Sequence, residues 1–196
     1  KLASDKLFIA ANNMKGAHPC KFSVVRYGNV AGSRGSVVPY FKQLIDSGKV
    51  DSLPITDIKM TRFWISLRQG VDFVVKSLAR MYGGETFVPK IPSVRIIDVA
   101  EALLPGYKKN IIGIRPGEKL HEIMCPIDDA IRVLEFHDHY VIRPTIQFVD
   151  ISDYSTNNLG ETGACVASNF EYHSGNNPHF LSVSEIKQFE NKAVLV

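Results

Sequence analysis

Apolar side chains recur at three- and four-residue steps in several stretches of this chain, and those stretches predict helices. Ala3, Leu7, Ala10 and Met14 mark the first, which Gly16 and Pro19 end. Val37, Val38, Phe41, Leu44 and Ile45 mark a second over 37–47, with Gly48 as its stop. Leu67, Val71, Val74, Leu78 and Met81 form a longer stripe that closes at Gly83-Gly84. Shorter helices are expected at 96–104, before Pro105-Gly106, and at 118–124, after the Pro116-Gly117 turn. Between them lie brief β-rich runs. Phe22–Arg26 reads as a strand buried on both faces, Leu53–Thr56 as a short edge strand, and 85–89, 110–114 and 141–146 as further strands. From about Asp150 to Pro178 the chain is rich in Asn, Ser and Gly and reads as loop, before a last helix that Ser182 or Ser184 caps.

Strands alternating with helices imply an α/β protein. No glycine-rich dinucleotide fingerprint follows any strand, so the first half of a Rossmann fold is not in this sequence.

Composition narrows the class without choosing a function. The 196 residues are 45% hydrophobic and 22% charged, which suits an ordinary globular core. A net charge of +3, with no long basic run, argues against nucleic acid and against an acidic membrane surface. No apolar stretch reaches the roughly 20 residues that span a bilayer. Three widely spaced cysteines, Cys20, Cys125 and Cys165, do not make a disulfide framework and suit a reducing cytoplasm.

Four segments could carry chemistry. Lys1 alone reads as a solvated terminal lysine. Tyr27–Ser36 holds three glycines at the C-terminal end of a strand, where α/β sheets bind ligands. Its small residues allow close backbone approach, its amides can cradle phosphate, and the helix entry at Ser36-Val37 adds a positive dipole end. Asn29 can donate and accept, and Arg34 can grip a diphosphate with two parallel bonds. A glycine-rich surface turn is the alternative. Met60-Thr-Arg-Phe-Trp64 offers the Thr61 hydroxyl and the Arg62 cation, while Phe63 and Trp64 suit packing. In Arg115-Pro-Gly-Glu118 the arginine can clamp a diphosphate and the carboxylate can accept from ribose hydroxyls. Taken alone, that pair equally reads as an exposed arginine and a first-turn glutamate matching a helix dipole. The His121-Glu122 and His137-Asp138-His139 groups lack the spacing that puts metal ligands on one helix face.

Read together, Lys1, Arg26–Pro39, Met60–Trp64 and Arg115–Leu120 resemble the C-terminal part of the extended short-chain dehydrogenase/reductases that modify nucleotide sugars. Met-Thr-Arg-Phe-Trp is most similar to the inverting UDP-N-acetylglucosamine 4,6-dehydratases, the first enzymes of pseudaminic acid biosynthesis, which feeds bacterial flagellin glycosylation. The retaining relatives usually carry a different aromatic pattern there. The resemblance runs over nearly all 196 residues and is most specific between Lys1 and Met124.

The resemblance implies a Rossmann-type fold with a smaller substrate-binding domain. Residues 1–36 would end the dinucleotide-binding domain, 37–149 would be mainly substrate-binding with segments returning to the sheet, and 150–196 would be a loop-rich tail. It implies NADP as cofactor and UDP-N-acetylglucosamine as substrate. Hydride leaves sugar C4, water is lost across C5 and C6, hydride returns to C6, and C5 is reprotonated on the opposite face. Lys1 matches the lysine one helical turn after a catalytic tyrosine, where it would hold the nicotinamide ribose and lower the phenol's pKa. Tyr27 and Val30 match cofactor contacts. Asn29, Arg34, Gly35, Ser36, Val37, Val38, Thr61, Arg62, Arg115 and Glu118 match substrate contacts. The tyrosine, a further acid/base pair and the glycine-rich NADP loop would precede residue 1. The chain by itself is therefore expected to be inactive and to need an N-terminal Rossmann segment to fold. The whole protein is expected to be a cytoplasmic homo-oligomer that binds neither nucleic acid nor membrane.

Overall fold

The structure, a computed structural model, describes residues 2–33, 35–48, 51–146 and 153–193. Lys1 and Arg34 lie outside the described residues. The fold is mixed α/β, as the alternating pattern predicts, and the chain divides into two interleaved compact units. One comprises residues 1–27, 71–90 and 124–172, and the other 28–70, 91–123 and 173–196.

In the first unit, α1 (Leu2–Met14) precedes β1 (Val24–Val25), and the last three turns of α3 (Leu67–Arg80) precede β5 (Thr86–Pro89). A 3-10 turn (Ile127–Arg132), β9 (Val133–Glu135), β10 (His139–Ile142) and β11 (Ala164–Cys165) follow. The sheet order is β1-β5-β10-β9-β11. β1 runs parallel to β5, with Val24 opposite Thr86, and the other pairings are antiparallel. Phe73, Phe87, Leu134, Phe136, Val141 and Tyr154 form its apolar core. Tyr154 comes from the stretch predicted to be loop, and its hydroxyl donates to Gly83 O at 3.1 Å.

The burial of two helices differs from the apolar pattern. In α1, Leu7 and Met14 are exposed. The buried anchor is polar: Asn12 Nδ2 donates to Phe22 O at 2.8 Å, and Phe22 N donates to Asn12 Oδ1 at 3.0 Å. In α3, the stripe Leu67, Val71, Val74 and Leu78 faces outward, while Phe73, Ser77 and Arg80 are buried. Arg80 sets that choice. It donates from Nε and Nη2 to Glu161 (2.7 and 2.9 Å) and from Nη2 to Asp138 at 3.0 Å. A buried guanidinium has to be paired, and this pairing fixes the helix face.

In the second unit, β2 (Asn29–Val30), β4 (Thr61–Ile65) and β6 (Ser93–Arg95) form one sheet, with β2 parallel to β4 and β6 antiparallel. β3 (Leu53–Ile55) and β7 (Lys109–Ile111) form a parallel pair. The helices are α2 (Val37–Asp46), α4 (Ile96–Leu103) and α5 (Val183–Ala193). Val38, Trp64, Val94, Val99 and Ile186 make one core cluster; Phe41, Leu53, Ile55, Met60 and Ala100 make another. Ser182 caps α5 in a reciprocal box: its backbone N donates to Glu185 Oε2 at 2.8 Å, and Glu185 N donates to its hydroxyl at 3.4 Å. β8 (Ile123–Cys125) and β12 (Tyr172–His173) lie where the chain passes between units.

Several elements differ from the sequence expectations. β1 is two residues long and only half-buried. β2 forms inside the segment read as loop, and the motif around Arg62, which precedes α3, is itself the strand β4. The helix expected at 118–124 is absent, because its backbone groups bond sideways. Leu120 O accepts from Thr61 N at 3.0 Å, and Glu122 O accepts from Ser174 N at 2.8 Å.

Candidate functional site

A cavity of about 430 Å³ opens in the second unit, against the N-terminal end of α2 and the faces of β2 and β4. Asn29, Gly35, Ser36, Val37, Arg62, Arg115 and Glu118 line it, so three sequence-distant segments meet there. Tyr40, Pro54, Thr56, Met60, Trp64 and Ile96 add an aromatic and apolar wall.

Gly28 determines where Asn29 sits. A Cβ on Gly28 would lie 2.4 Å from Phe63 Cβ and 2.7 Å from Phe63 O. Only a residue without a side chain lets β2 come this close to β4. The pairing then places Asn29 opposite Trp64 and Val30 opposite Ile65.

Ser36 occupies the N-cap position of α2 with extended backbone angles, yet its hydroxyl makes no capping bond. Its carbonyl accepts the first intrahelical bond, from Tyr40 N at 3.2 Å. Its Oγ is buried and has no partner among the described residues. A buried hydroxyl is normally satisfied, so this one is poised for a ligand atom. The free amides and positive dipole end of a ten-residue helix lie beside it.

Arg62 is 15% exposed and held from behind. Its Nη1 donates to the carbonyls of Thr61 (2.7 Å) and Leu120 (3.2 Å), and its Nε lies 3.8 Å from Glu122 Oε1. Arg115 is exposed on the rim. The turn that carries it is closed by two bonds at 3.0 Å, Glu118 N to Arg115 O and Arg115 N to Glu118 Oε2. Gly117 has φ +84° there, the left-handed geometry a Pro-Gly turn needs. Two guanidiniums, a helix N-terminus and an unpartnered hydroxyl make an anion-receiving cleft.

Three residues matched to the substrate contribute differently or lie outside the described part. Val38 is 1% exposed in the core beside Trp64 and Ile186. Thr61 is buried; its Oγ1 lies 2.8 Å from His121 Nδ1 and 2.7 Å from Ser174 Oγ. Arg34 is not described. For the cofactor, Lys1 is likewise not described, Tyr27 is 45% exposed and Val30 is half-buried in β2. Neither of these two side chains brings a charge for a phosphate.

Sequence reasoning missed the supporting layer. Glu122 faces Arg62, and with the Asn29 amide oriented by its surroundings, Asn29 Nδ2 donates to Glu122 Oε2 at 3.0 Å and to Oε1 at 3.2 Å. Ser174 accepts from Glu122 N at 2.9 Å and donates to Thr61 O at 3.1 Å. Gly175 is needed beneath His121, since its Cβ would lie 2.7 Å from His121 Nδ1. Burial, then the neighbouring charges of His173 and Arg62, hold the His121 pKa below its ordinary value, so the imidazole is neutral in this network at pH 7. Glu122 directly follows a histidine after the Arg-Pro-Gly-Glu segment, which was its only signal. Ser174 had none.

Fold and site define an α/β protein with a glycine-edged cleft lined by two arginines and a glutamate. The chain belongs to the family described as Polysaccharide biosynthesis protein, whose profile matches residues 1–144. It is 56% identical, over 192 residues, to the UDP-N-acetylglucosamine 4,6-dehydratase (inverting) of Campylobacter jejuni subsp. jejuni serotype O:2, an alignment covering 97% of this chain and 57% of that protein. It is 33% identical to the UDP-glucose 4-epimerase of Rickettsia canadensis, over 96% of this chain and 54% of that one. Among solved structures, the X-ray structure of Pen from Bacillus thuringiensis matches with a TM-score of 0.80 and 28% identity, over 100% of this chain and 57% of that one. The chain thus spans just over half the length of the curated relatives it matches. No described helix is long and apolar enough to cross a membrane.

Proposed function

We propose that the whole protein dehydrates UDP-N-acetylglucosamine across C5 and C6 with inversion at C5, giving a UDP-4-keto-6-deoxy-L-sugar, the first step toward pseudaminic acid. The observation that carries this reading is the convergence of Asn29, Ser36, Arg62, Arg115 and Glu118 on one cavity. The 56% identity to a protein named for that reaction supports it.

In this reading the α2 N-terminus, Ser36 and Gly35 receive the diphosphate, with Arg115 over it from the rim, and Arg34, outside the described residues, is assigned to the same group. Glu118 accepts from ribose hydroxyls. Asn29 and Arg62 orient the sugar, and Val37 packs beside the nucleotide. Val38 and Thr61 act through the wall they build rather than by contact. Lys1 is assigned to the nicotinamide ribose, where its charge would favour the phenolate of a catalytic tyrosine, and Tyr27 and Val30 are each assigned to the cofactor. NADP, when bound, supplies reversible hydride exchange.

The same reading assigns residues 1–36 to the end of a dinucleotide-binding domain, 37–149 mainly to a substrate domain and 150–196 to a C-terminal extension. It assigns the whole protein to the cytoplasm as a homo-oligomer. Mass spectrometry of UDP-N-acetylglucosamine incubated with the whole, NADP-loaded protein tests it. Loss of one water from the sugar nucleotide is expected. An unchanged mass, with proton NMR of the same sample showing the ring couplings of the 4-epimer, would transfer the protein to the activity that its epimerase relatives are named for.

A further inference from the structure

We infer that Glu122 is a positioning residue that fixes which end of the Asn29 amide meets the ligand, so that the cavity recognises a hydrogen-bond donor of the nucleotide sugar, a hydroxyl or amide N–H, at Asn29. The inference rests on the nucleotide-sugar reading of the cavity and deepens it.

An ionised carboxylate only accepts hydrogen bonds, whereas an amide offers one accepting and one donating end. Asn29 lies within hydrogen-bond distance of both Glu122 oxygens, at 3.0 and 3.2 Å. With its oxygen turned toward them, acceptor would face acceptor. With its nitrogen turned toward them, the contact becomes a charge-assisted bond, so this orientation wins. Asn29 lines the cavity, and with Nδ2 on Glu122 its Oδ1 end is turned away from that carboxylate.

The lock holds because Glu122 cannot drift. Its backbone N donates to Ser174 Oγ at 2.9 Å and its carbonyl accepts from Ser174 N at 2.8 Å. Ser174 Oγ in turn donates to Thr61 O at 3.1 Å, on the strand that carries Arg62. The Arg62 Nε, 3.8 Å from Oε1, adds attraction from the other side. A side chain held at both backbone ends and between two partners presents one geometry.

Exchange of the two chemistries tests the idea in the whole protein, with calorimetric titration of UDP-N-acetylglucosamine and thermal melting of each variant. Asn29→Asp sets two carboxylates against each other and is expected to weaken binding about tenfold or more. Glu122→Gln alone, isosteric and uncharged, is expected to weaken it about threefold. The double variant restores donor against acceptor with the roles reversed and still leaves an accepting oxygen toward the ligand. It is expected to bind within about threefold of the parent. A double variant that melts like the parent but binds no better than Asn29→Asp overturns the inference, because the ligand then needs the Asn29 nitrogen. Parent-like binding by Asn29→Asp or by Glu122→Gln overturns it too. A parent protein that binds no UDP-sugar overturns the cavity's nucleotide-sugar reading itself, which separates the two failures.

Discussion

Ser36→Ala separates a residue kept for the fold from one kept for the ligand. If Ser36 were an ordinary N-cap, removing its hydroxyl would cost about 1 kcal/mol of stability. Here the capping bond is not made, and the buried Oγ has no partner. A hydroxyl stripped of water and left unsatisfied carries a penalty of about 1–3 kcal/mol. Replacing it by a methyl group removes that penalty and leaves a small void, so the unliganded protein should be unchanged or up to about 1 kcal/mol more stable. Binding moves the opposite way. A hydroxyl donating to a phosphate oxygen contributes about 1.5–3 kcal/mol, so Kd for UDP-N-acetylglucosamine should rise about 10- to 100-fold. Urea unfolding of the unliganded protein and calorimetric titration read the two effects separately. A stability loss of about 1 kcal/mol with unchanged affinity would refute the reasoning, since that is the signature of a cap.

Further expectations follow from the same geometry. Arg115→Ala should leave stability within about 0.5 kcal/mol, because the side chain is exposed, yet raise Kd for UDP-sugars about tenfold or more; unchanged affinity would remove Arg115 from the diphosphate site. Gly28→Ala forces β2 away from Phe63 and should cost about 1–3 kcal/mol in urea unfolding while also weakening sugar-nucleotide binding, and parent-like stability would contradict the close approach. The first unit should also lose stability in acid. Burial holds the His139 pKa low. For Asp138, burial alone would raise it, but hydrogen bonds from His139 and Arg80 win; the hydrogen bond from Arg80 lowers Glu161. In each case the unfolded chain takes up the proton first. Stability is therefore full above the unfolded values and falls as pH drops, from about 6.5 for His139 and from about 4 for the carboxyls. Urea midpoints measured across that range, in the parent and in Arg80→Met, check this, and an acid slope in the parent no steeper than in the variant would contradict it.

The sequence foretold the elements whose own residues specify them and failed where a distant residue decides. α2, with its apolar face and Gly48 at φ +62°, was legible end to end. So was the capped α5. The faces of α1 and α3 were not, because Asn12 and Arg80 draw the other side inward through partners far along the chain. The helix expected after Gly117 failed for the same reason, since Thr61 and Ser174 take the backbone groups it would have used. In the cavity, glycine-rich and Arg-Pro-Gly-Glu segments announce themselves by composition. Their support does not. Ser174 sits in a polar, irregular stretch with no period, and only the folded chain brings it to Glu122 and Thr61.

Proton NMR of the whole, NADP-loaded protein with UDP-N-acetylglucosamine in heavy water tests the central claim most directly. The account predicts a new sugar methyl signal, deuterium at C5 and ring couplings of the C5-inverted sugar. A methyl product that keeps the original couplings would contradict inversion, and no methyl signal at all would contradict dehydration.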